Sequence, residues 1–90
     1  MSIRYHRIGI AGTGRVARTM GLALAPRSSE PVLFRGRTPD GTSEAAATVG
    51  GATADSLADL AARCDLILIA VADDALPSVV VDLAEALPPG

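Results

Sequence analysis

The chain has 90 residues, of which 49% are hydrophobic and 20% charged. A typical domain has roughly 100 to 150 residues, so this length excludes two domains, and the composition is globular rather than disordered.

Cys64 is the single cysteine and has no partner at metal-ligand spacing, so no metal site is expected. It is therefore predicted to be a small core residue in a reducing compartment, the cytoplasm. The longest apolar run, residues 66–72, is far shorter than the roughly 20 residues of a membrane span, so no membrane partner is expected.

The net charge of −2 hides a strong asymmetry along the chain. Residues 1–37 contain seven Arg and one Glu, a net charge of +6, while residues 38–90 contain one Arg and nine acidic residues, a net charge of −8. Such a split is typical of an anionic-ligand site or of a nucleic-acid surface. The basic half contains two aromatic residues, Tyr5 and Phe34, and Phe34 belongs to an apolar run. Because nucleic-acid binding of this kind relies on aromatic stacking, no nucleic-acid partner is expected.

The hydrophobic pattern alternates between strands and helices in chain order. The predicted elements are a strand at 8–11, a helix at 15–25, a strand at 31–35, a helix from Thr42 or Ser43 to 49, a short strand at 52–54, a helix capped by Ser56 to 63, a strand at 66–71, and a helix from Asp73 or Asp74 to Pro88-Pro89-Gly90. This order predicts an α/β fold of the Rossmann type, a parallel sheet with helices on both faces. Because the chain stops after a helix, where another strand normally begins, the fold is expected to be incomplete at its C-terminus.

A glycine-rich turn joins the first predicted strand to the first predicted helix. Residues 12–17 read GTGRVA, a G-x-G-x-x-A pattern that is weak alone but stands where a dinucleotide-binding fold has it. Gly12 permits the tight turn, Gly14 lets the backbone approach a pyrophosphate, and Ala17 allows close packing of helix on strand. The N–H groups at the helix start point at the phosphates. The predicted pyrophosphate site is Gly12, Thr13, Gly14, Arg15 and Val16. The alternative is a glycine turn that binds no nucleotide.

The end of the second predicted strand favours NADP over NAD. In NAD-binding folds an Asp or Glu about 20 residues after the glycines accepts hydrogen bonds from the ribose hydroxyls. Here residues 34–38 read FRGRT, and no acidic residue follows before Asp40. The guanidiniums of Arg35 and Arg37 and the hydroxyl of Thr38 suit an adenosine 2′-phosphate, with Arg37 nearer the ligand. The alternative is that both arginines are solvated loop charges.

The segment after the fourth predicted strand lies at the same edge of the sheet, where parallel sheets bind ligands. Its backbone and small side chains at Val71, Ala72 and Asp73 would border the nicotinamide. The simpler role for Asp73 and Asp74 is to cap the next helix and compensate its dipole. No catalytic residue can be named, since a single His and the absence of Lys exclude a Ser-His-Asp set and a P-loop.

Three segments together resemble a known group of enzymes: YHRIGIAGTGRVA (residues 5–17), GRT (36–38) and LILIAVADDAL (66–76). They are similar to the N-terminal Rossmann domain of the superfamily of pyrroline-5-carboxylate reductase, 6-phosphogluconate dehydrogenase and the deazaflavin-dependent NADP reductases, and most similar to its branch of oxidoreductases and dehydrogenases. The resemblance covers nearly the whole chain and implies that Arg37 and Thr38 read the NADP phosphate. Many relatives have a Pro at the position of Ala72, which implies a less rigid loop here.

The resemblance also implies what residues 1–90 are part of. Relatives continue into further strands and a helical second domain that supplies catalytic side chains and often the dimer interface. We therefore expect residues 1–90 to be the N-terminal part of an NAD(P)-binding domain, with the substrate or catalytic domain outside them. The expected function is NADP(H) binding in an oxidoreductase that transfers a hydride to or from a small-molecule substrate, as a homodimer formed through the C-terminal domain.

Two other functions stay open from the sequence. One is a nucleotide-sensing or regulatory module that binds NAD(P) or another adenine nucleotide without hydride transfer. The other is a parallel-sheet interaction domain whose glycine turn binds nothing. A helical domain encoded directly after Gly90 would favour the enzyme, and a natural stop there would favour the sensor or a remnant of an enzyme.

Overall fold

A computed structural model describes residues 3–87, which form a parallel sheet surrounded by helices. The strands are β1 (Ile8–Ala11), β2 (Leu33–Arg35), β3 (Ala52–Thr53) and β4 (Leu66–Ile69), and the helices are α1 (Arg15–Leu24), α2 (Pro39–Val49), α3 (Leu57–Arg63) and α4 (Leu76–Ala86). A 3-10 turn, Ala25–Arg27, follows α1. The predicted end of the last helix at Pro88-Pro89-Gly90 lies outside the described residues. No helix within residues 3–87 is long and apolar enough to cross a membrane.

The strand order is β3-β2-β1-β4, and every neighbouring pair is parallel. The chain moves outward from β1 to β3 and then crosses back to the far side of β1 to form β4. Open parallel sheets bind ligands outside the carboxyl ends of the strands at such a change of direction. The predicted Rossmann-type fold is confirmed, and the order places the ligand crevice at the carboxyl ends of β1 and β4.

Helices cover both faces of the sheet, and the alternation of side chains in β2 shows how. Phe34 is completely buried in a cluster that includes Ala17 of α1 and Ala45 and Ala46 of α2. The preceding residue, Leu33, faces the opposite cluster, which includes Leu60 of α3 and Leu83 of α4. Ala17 has no exposed surface, which confirms its predicted role in close packing of α1 on the sheet. The glycine turn is therefore held between a buried strand and a closely packed helix.

The start of α2 differs from the prediction. The helix begins at Pro39 rather than at Thr42 or Ser43, with Thr38 as its N-cap. The Thr38 Oγ1 accepts a hydrogen bond from the N–H of Gly41 at 3.1 Å, and Pro is tolerated at the first helical position because its missing N–H has no intrahelical partner there. Thr38, predicted to contact a phosphate, is thus also the residue that starts α2.

The start of α4 also differs from the prediction. Neither Asp73 nor Asp74 caps this helix, which begins at Leu76 with Ala75 as its N-cap and without a side-chain cap. The two aspartates lie in a turn closed by the N–H of Ala75, which donates to the Ala72 carbonyl oxygen at 2.9 Å. Both are exposed, and the turn places them before the helix rather than at its cap position.

The remaining boundaries agree with the sequence closely. The α3 helix begins as predicted, and Ser56 Oγ accepts a hydrogen bond from the N–H of Asp59 at 3.0 Å. The elements α1, β2, β3 and β4 are one or two residues shorter than predicted. Cys64, predicted to be a core residue, is half-buried and packs against the cluster of Leu60, and burial raises the pKa of its thiol to about 11.

Candidate functional site

A cavity of about 480 Å³ lies at the carboxyl ends of β1, β2 and β4. Most of the residues predicted to bind a ligand line it, namely Gly12, Thr13, Gly14, Arg35, Arg37, Val71 and Ala72. They come from three separate loops, and the parallel strands bring these loops to one edge of the sheet. We call this space the main cavity.

Gly12 is required by the protein's own packing. Its φ is +134°, a value that other residues rarely adopt, and an added Cβ would collide with the carbonyl oxygen of Ala70. Two hydrogen bonds fix the surroundings: the Gly12 N–H donates to Arg35 O at 2.9 Å, and the Ala70 N–H donates to Ala11 O at 2.8 Å. The turn after β1 is therefore packed tightly between the ends of β2 and β4.

Gly14 is different, because nothing in the protein requires a glycine there. Its φ is −76°, which any residue can adopt, and an added Cβ would have no protein atom within 4 Å. Gly14 is also the N-cap of α1, and no side chain caps that helix in the described part of the chain. By contrast, Thr38 and Ser56 cap α2 and α3. The first N–H groups of α1 thus remain available to an anion that approaches over Gly14.

The two arginines at the end of β2 and just beyond it are held differently. Arg35 is half-buried, and its guanidinium donates to the carbonyl oxygen of Ala54 at 3.4 Å. Arg37 is exposed and lines the main cavity. Thr38 lies beside Arg37 but does not line the main cavity. The loop between β2 and α2 therefore offers one exposed guanidinium to a ligand in this cavity.

A second cavity of about 480 Å³ adjoins the main cavity. Arg15 and Val16, predicted with the pyrophosphate site, line this second cavity rather than the main one, together with Met20 and Ile69. Gly14, Val71 and Ala72 line both cavities, so the two spaces meet over the glycine turn. Asp73 lines neither cavity, and its predicted contact with the nicotinamide stays a prediction.

One wall of the main cavity was not predicted from the sequence. It consists of the first residue of α3, the N-cap of α4 and the first two turns of α4, at Leu57, Ala75, Ser78, Val79 and Asp82. Ser78 and Asp82 are four residues apart and so share a helix face, which was the available sequence signal. Asp82 is the acidic residue of the lining, and Arg35 and Arg37 are its basic residues. An anionic ligand group is therefore favoured at the arginine side of the cavity.

Comparisons with known proteins agree with this architecture. A model of the family described as NADP oxidoreductase, coenzyme F420-dependent, matches residues 7–90. The structure of an inferred oxidoreductase from Mycobacterium avium 104 is 32% identical, with a TM-score of 0.75, and the alignment covers 97% of this chain and 30% of that one. No protein among the curated sequences gave a match.

Two further solved structures share the fold. Biliverdin reductase from Synechocystis sp. PCC 6803, solved with biliverdin and NADP+, is 27% identical with a TM-score of 0.64, over 90% of this chain and 27% of that one. An inferred NADP oxidoreductase from Bacteroides fragilis is 22% identical with a TM-score of 0.76, over 92% of this chain and 32% of that one. The chain thus spans about a third or less of the length of each of these proteins.

Proposed function

Because this chain belongs to the family of coenzyme F420-dependent NADP oxidoreductases, we propose that residues 1–90 hold NADP(H) at the carboxyl edge of the sheet for hydride transfer in a longer enzyme. The prediction of NADP rather than NAD agrees with the cofactor of the family. When bound, the nicotinamide of the cofactor gives or accepts the hydride. The residues of this chain bind the cofactor and orient it.

The observation that carries the proposal is the open start of α1 beside Arg37. The helix start has no side-chain cap, the Cβ position of Gly14 is empty of protein atoms, and Arg37 lines the same cavity. A pyrophosphate fits the first of these features, because helix N–H groups and the helix dipole favour anions. A 2′-phosphate fits Arg37, because a guanidinium makes charge-assisted hydrogen bonds to phosphate oxygens.

Each part of the site receives a role in this proposal. The glycine turn binds the pyrophosphate, through the backbone of Gly12, Thr13, Gly14, Arg15 and Val16. Arg37 binds the 2′-phosphate, and Arg35 adds positive charge to the phosphate site from further away. The Thr38 hydroxyl donates its proton to the 2′-phosphate while its oxygen caps α2. The segment Val71, Ala72 and Asp73 borders the nicotinamide. Its small side chains leave room for a flat ring where the two cavities meet.

The catalytic side chains and the contacts of a homodimer are proposed to lie outside residues 1–90, in a further domain. This division is supported by the length of the Mycobacterium avium protein, of which the chain spans 30%. The substrate is proposed to be a small molecule and the location the cytoplasm.

The test is calorimetric titration of the purified chain with NADPH and with NADH, repeated on Arg37→Ala. Loss of a charge-assisted contact of about 1.5 to 3 kcal/mol should weaken NADPH binding roughly 10- to 150-fold and leave NADH binding unchanged. Arg4→Ala is the matched control. It removes the same charge from an exposed position before β1, at the opposite edge of the sheet, and should leave both affinities unchanged. A folded chain that binds neither nucleotide would refute the proposal.

A further inference from the structure

Thr42 is the most deeply buried polar residue near the main cavity, although it does not line it. It lies in the first turn of α2 with 1% of its surface exposed. A hydroxyl is both a donor and an acceptor, and burying it without partners is unfavourable. The contacts of this hydroxyl therefore show what the residue does.

Both partners of the Thr42 hydroxyl belong to the loop that carries Arg37. Thr42 Oγ1 accepts a hydrogen bond from the N–H of Gly36 at 2.9 Å. The same oxygen donates its proton to the carbonyl oxygen of Thr38 at 2.7 Å. The two contacts are to the residues immediately before and after Arg37. One buried hydroxyl thus links both sides of this loop to the first turn of α2.

The loop is also held from the side of the glycine turn. An added Cβ at Gly36 would collide with the side chain of Thr13, so the two loops are in close contact. The Gly12 N–H donates to Arg35 O at 2.9 Å, which fixes the end of β2. Between these contacts and the Thr42 hydroxyl, the backbone on both sides of Arg37 is fixed relative to the glycine turn.

We propose that Thr42 is a positioning residue for the recognition of the 2′-phosphate of NADP, because its hydroxyl holds Gly36 and Thr38 and thereby sets the direction in which Arg37 enters the cavity. The inference rests on the proposed function, since it acts through the contact assigned to Arg37. Thr42 itself does not line the main cavity. Its effect is on the choice between NADPH and NADH rather than on dinucleotide binding in general, because both nucleotides share the pyrophosphate site.

The test compares the ratio of NADPH to NADH affinity in the full chain and in Thr42→Val. Valine keeps the shape of threonine but removes the hydroxyl, so the ratio should fall roughly 3- to 10-fold while NADH binding stays the same. Thr42→Ser keeps the hydroxyl and should restore the ratio. The matched control is Thr48→Val on the same helix. It removes an exposed hydroxyl that donates to Glu44 O at 2.9 Å, and it should leave the ratio unchanged.

A double-mutant cycle with Arg37→Ala tests whether Thr42 acts through that arginine. In the Arg37→Ala background, Thr42→Val should have no further effect on the ratio. An equal loss in both backgrounds overturns the proposal, because the hydroxyl would then act on another group. If Thr42→Val melts below the titration temperature, Thr42→Ser and Thr42→Ala give the same comparison. A ratio kept by Ser and lost by Ala supports the proposal, and equal ratios in the two variants overturn it.

The outcomes also separate this inference from the proposed function. A folded wild-type chain that binds neither nucleotide overturns both, and one that binds NADPH and NADH equally overturns the roles of Arg37 and Thr42 but not dinucleotide binding. A wild-type chain with a clear preference for NADPH, kept in full by Thr42→Val, overturns the role of Thr42 alone. A fall in the affinity for both nucleotides by the same factor also overturns it, since that is the result of a purely structural role.

Discussion

Gly12 and Gly14 are two residues apart, and the structure predicts opposite consequences when each is changed to alanine. At Gly12 an added Cβ collides with Ala70 O, and φ is +134°. Backbone strain of this kind costs about 1 to 3 kcal/mol, and the collision adds to it. Since a domain of 90 residues is typically stable by only about 5 to 13 kcal/mol, Gly12→Ala should lower the free energy of unfolding by about 3 kcal/mol or more.

Gly14→Ala should leave the fold nearly intact and weaken ligand binding instead. The added Cβ meets no protein atom within 4 Å, and a φ of −76° suits alanine. Alanine is a poorer N-cap than glycine but reduces the entropy of the unfolded chain, and these effects of up to about 1 kcal/mol each partly cancel. A methyl group between the backbone and the pyrophosphate should weaken NADPH and NADH binding equally, by about 10-fold or more.

Urea denaturation and calorimetric titration of the two variants separate these effects. Gly50→Ala is a suitable control, because Gly50 has a φ of +76° at the far end of α2 and no atom within 4 Å of an added Cβ. It should lower stability by about 1 kcal/mol and leave the affinity of the folded chain unchanged. Wild-type affinity in Gly14→Ala would refute the assignment of the pyrophosphate to the start of α1.

Two further predictions concern titratable side chains. Hydrogen bonds from the backbone N–H groups of Arg7 and His6, both 2.9 Å long, lower the pKa of Asp65 below its ordinary value of 3.8. The stability from this carboxylate is complete above pH 3.8 and is lost as the pH falls through the lowered pKa. Asp65→Asn should therefore flatten the acid limb of a plot of unfolding free energy against pH. An unchanged limb would show that these hydrogen bonds to Asp65 do not contribute to acid unfolding. Burial raises the pKa of Cys64 from 9.0 to about 11, which leaves about 100-fold less thiolate at pH 8. Alkylation of Cys64 should therefore be about 100-fold slower in the folded chain than in the chain unfolded by urea. Equal rates would show that the thiol is exposed.

Much of the fold was predictable because the strongest signals in the sequence are local. The apolar run of β1 followed at once by glycine, and the serine that caps α3, both specify structure within a few residues. The start of α2 was predicted three or four residues too late, because the glycines at 36 and 41 are residues typical of turns. The competing signal was Thr38 followed by Pro39, an N-cap followed by the residue most favoured at the first helical position, and this pair determined the helix start.

The site was only partly predictable, for a different physical reason. The loops that follow β1, β2 and β4 must meet at one edge of a parallel sheet, so their residues could be placed together from the sequence. The wall formed by Leu57, Ser78 and Asp82 depends on how α3 and α4 pack on each other and on the sheet. That packing is set by contacts between residues far apart in the chain, and spacing along a single helix gives its buried face but not the neighbour opposite it.

Arg35 and Arg37 show how tertiary contacts separate two residues that the sequence treats alike. Their spacing in an extended segment puts both on one side of the chain, and both line the main cavity. Arg35, however, ends β2 and donates to the carbonyl oxygen of Ala54, so binding a phosphate would require it to give up a half-buried contact. Arg37 lies beyond the strand, exposed, with the residues on both sides of it held by the hydroxyl of Thr42. Arg37 can therefore approach a phosphate without first giving up a hydrogen bond like that of Arg35 to Ala54, and for this reason we propose Arg37 rather than Arg35 for the 2′-phosphate.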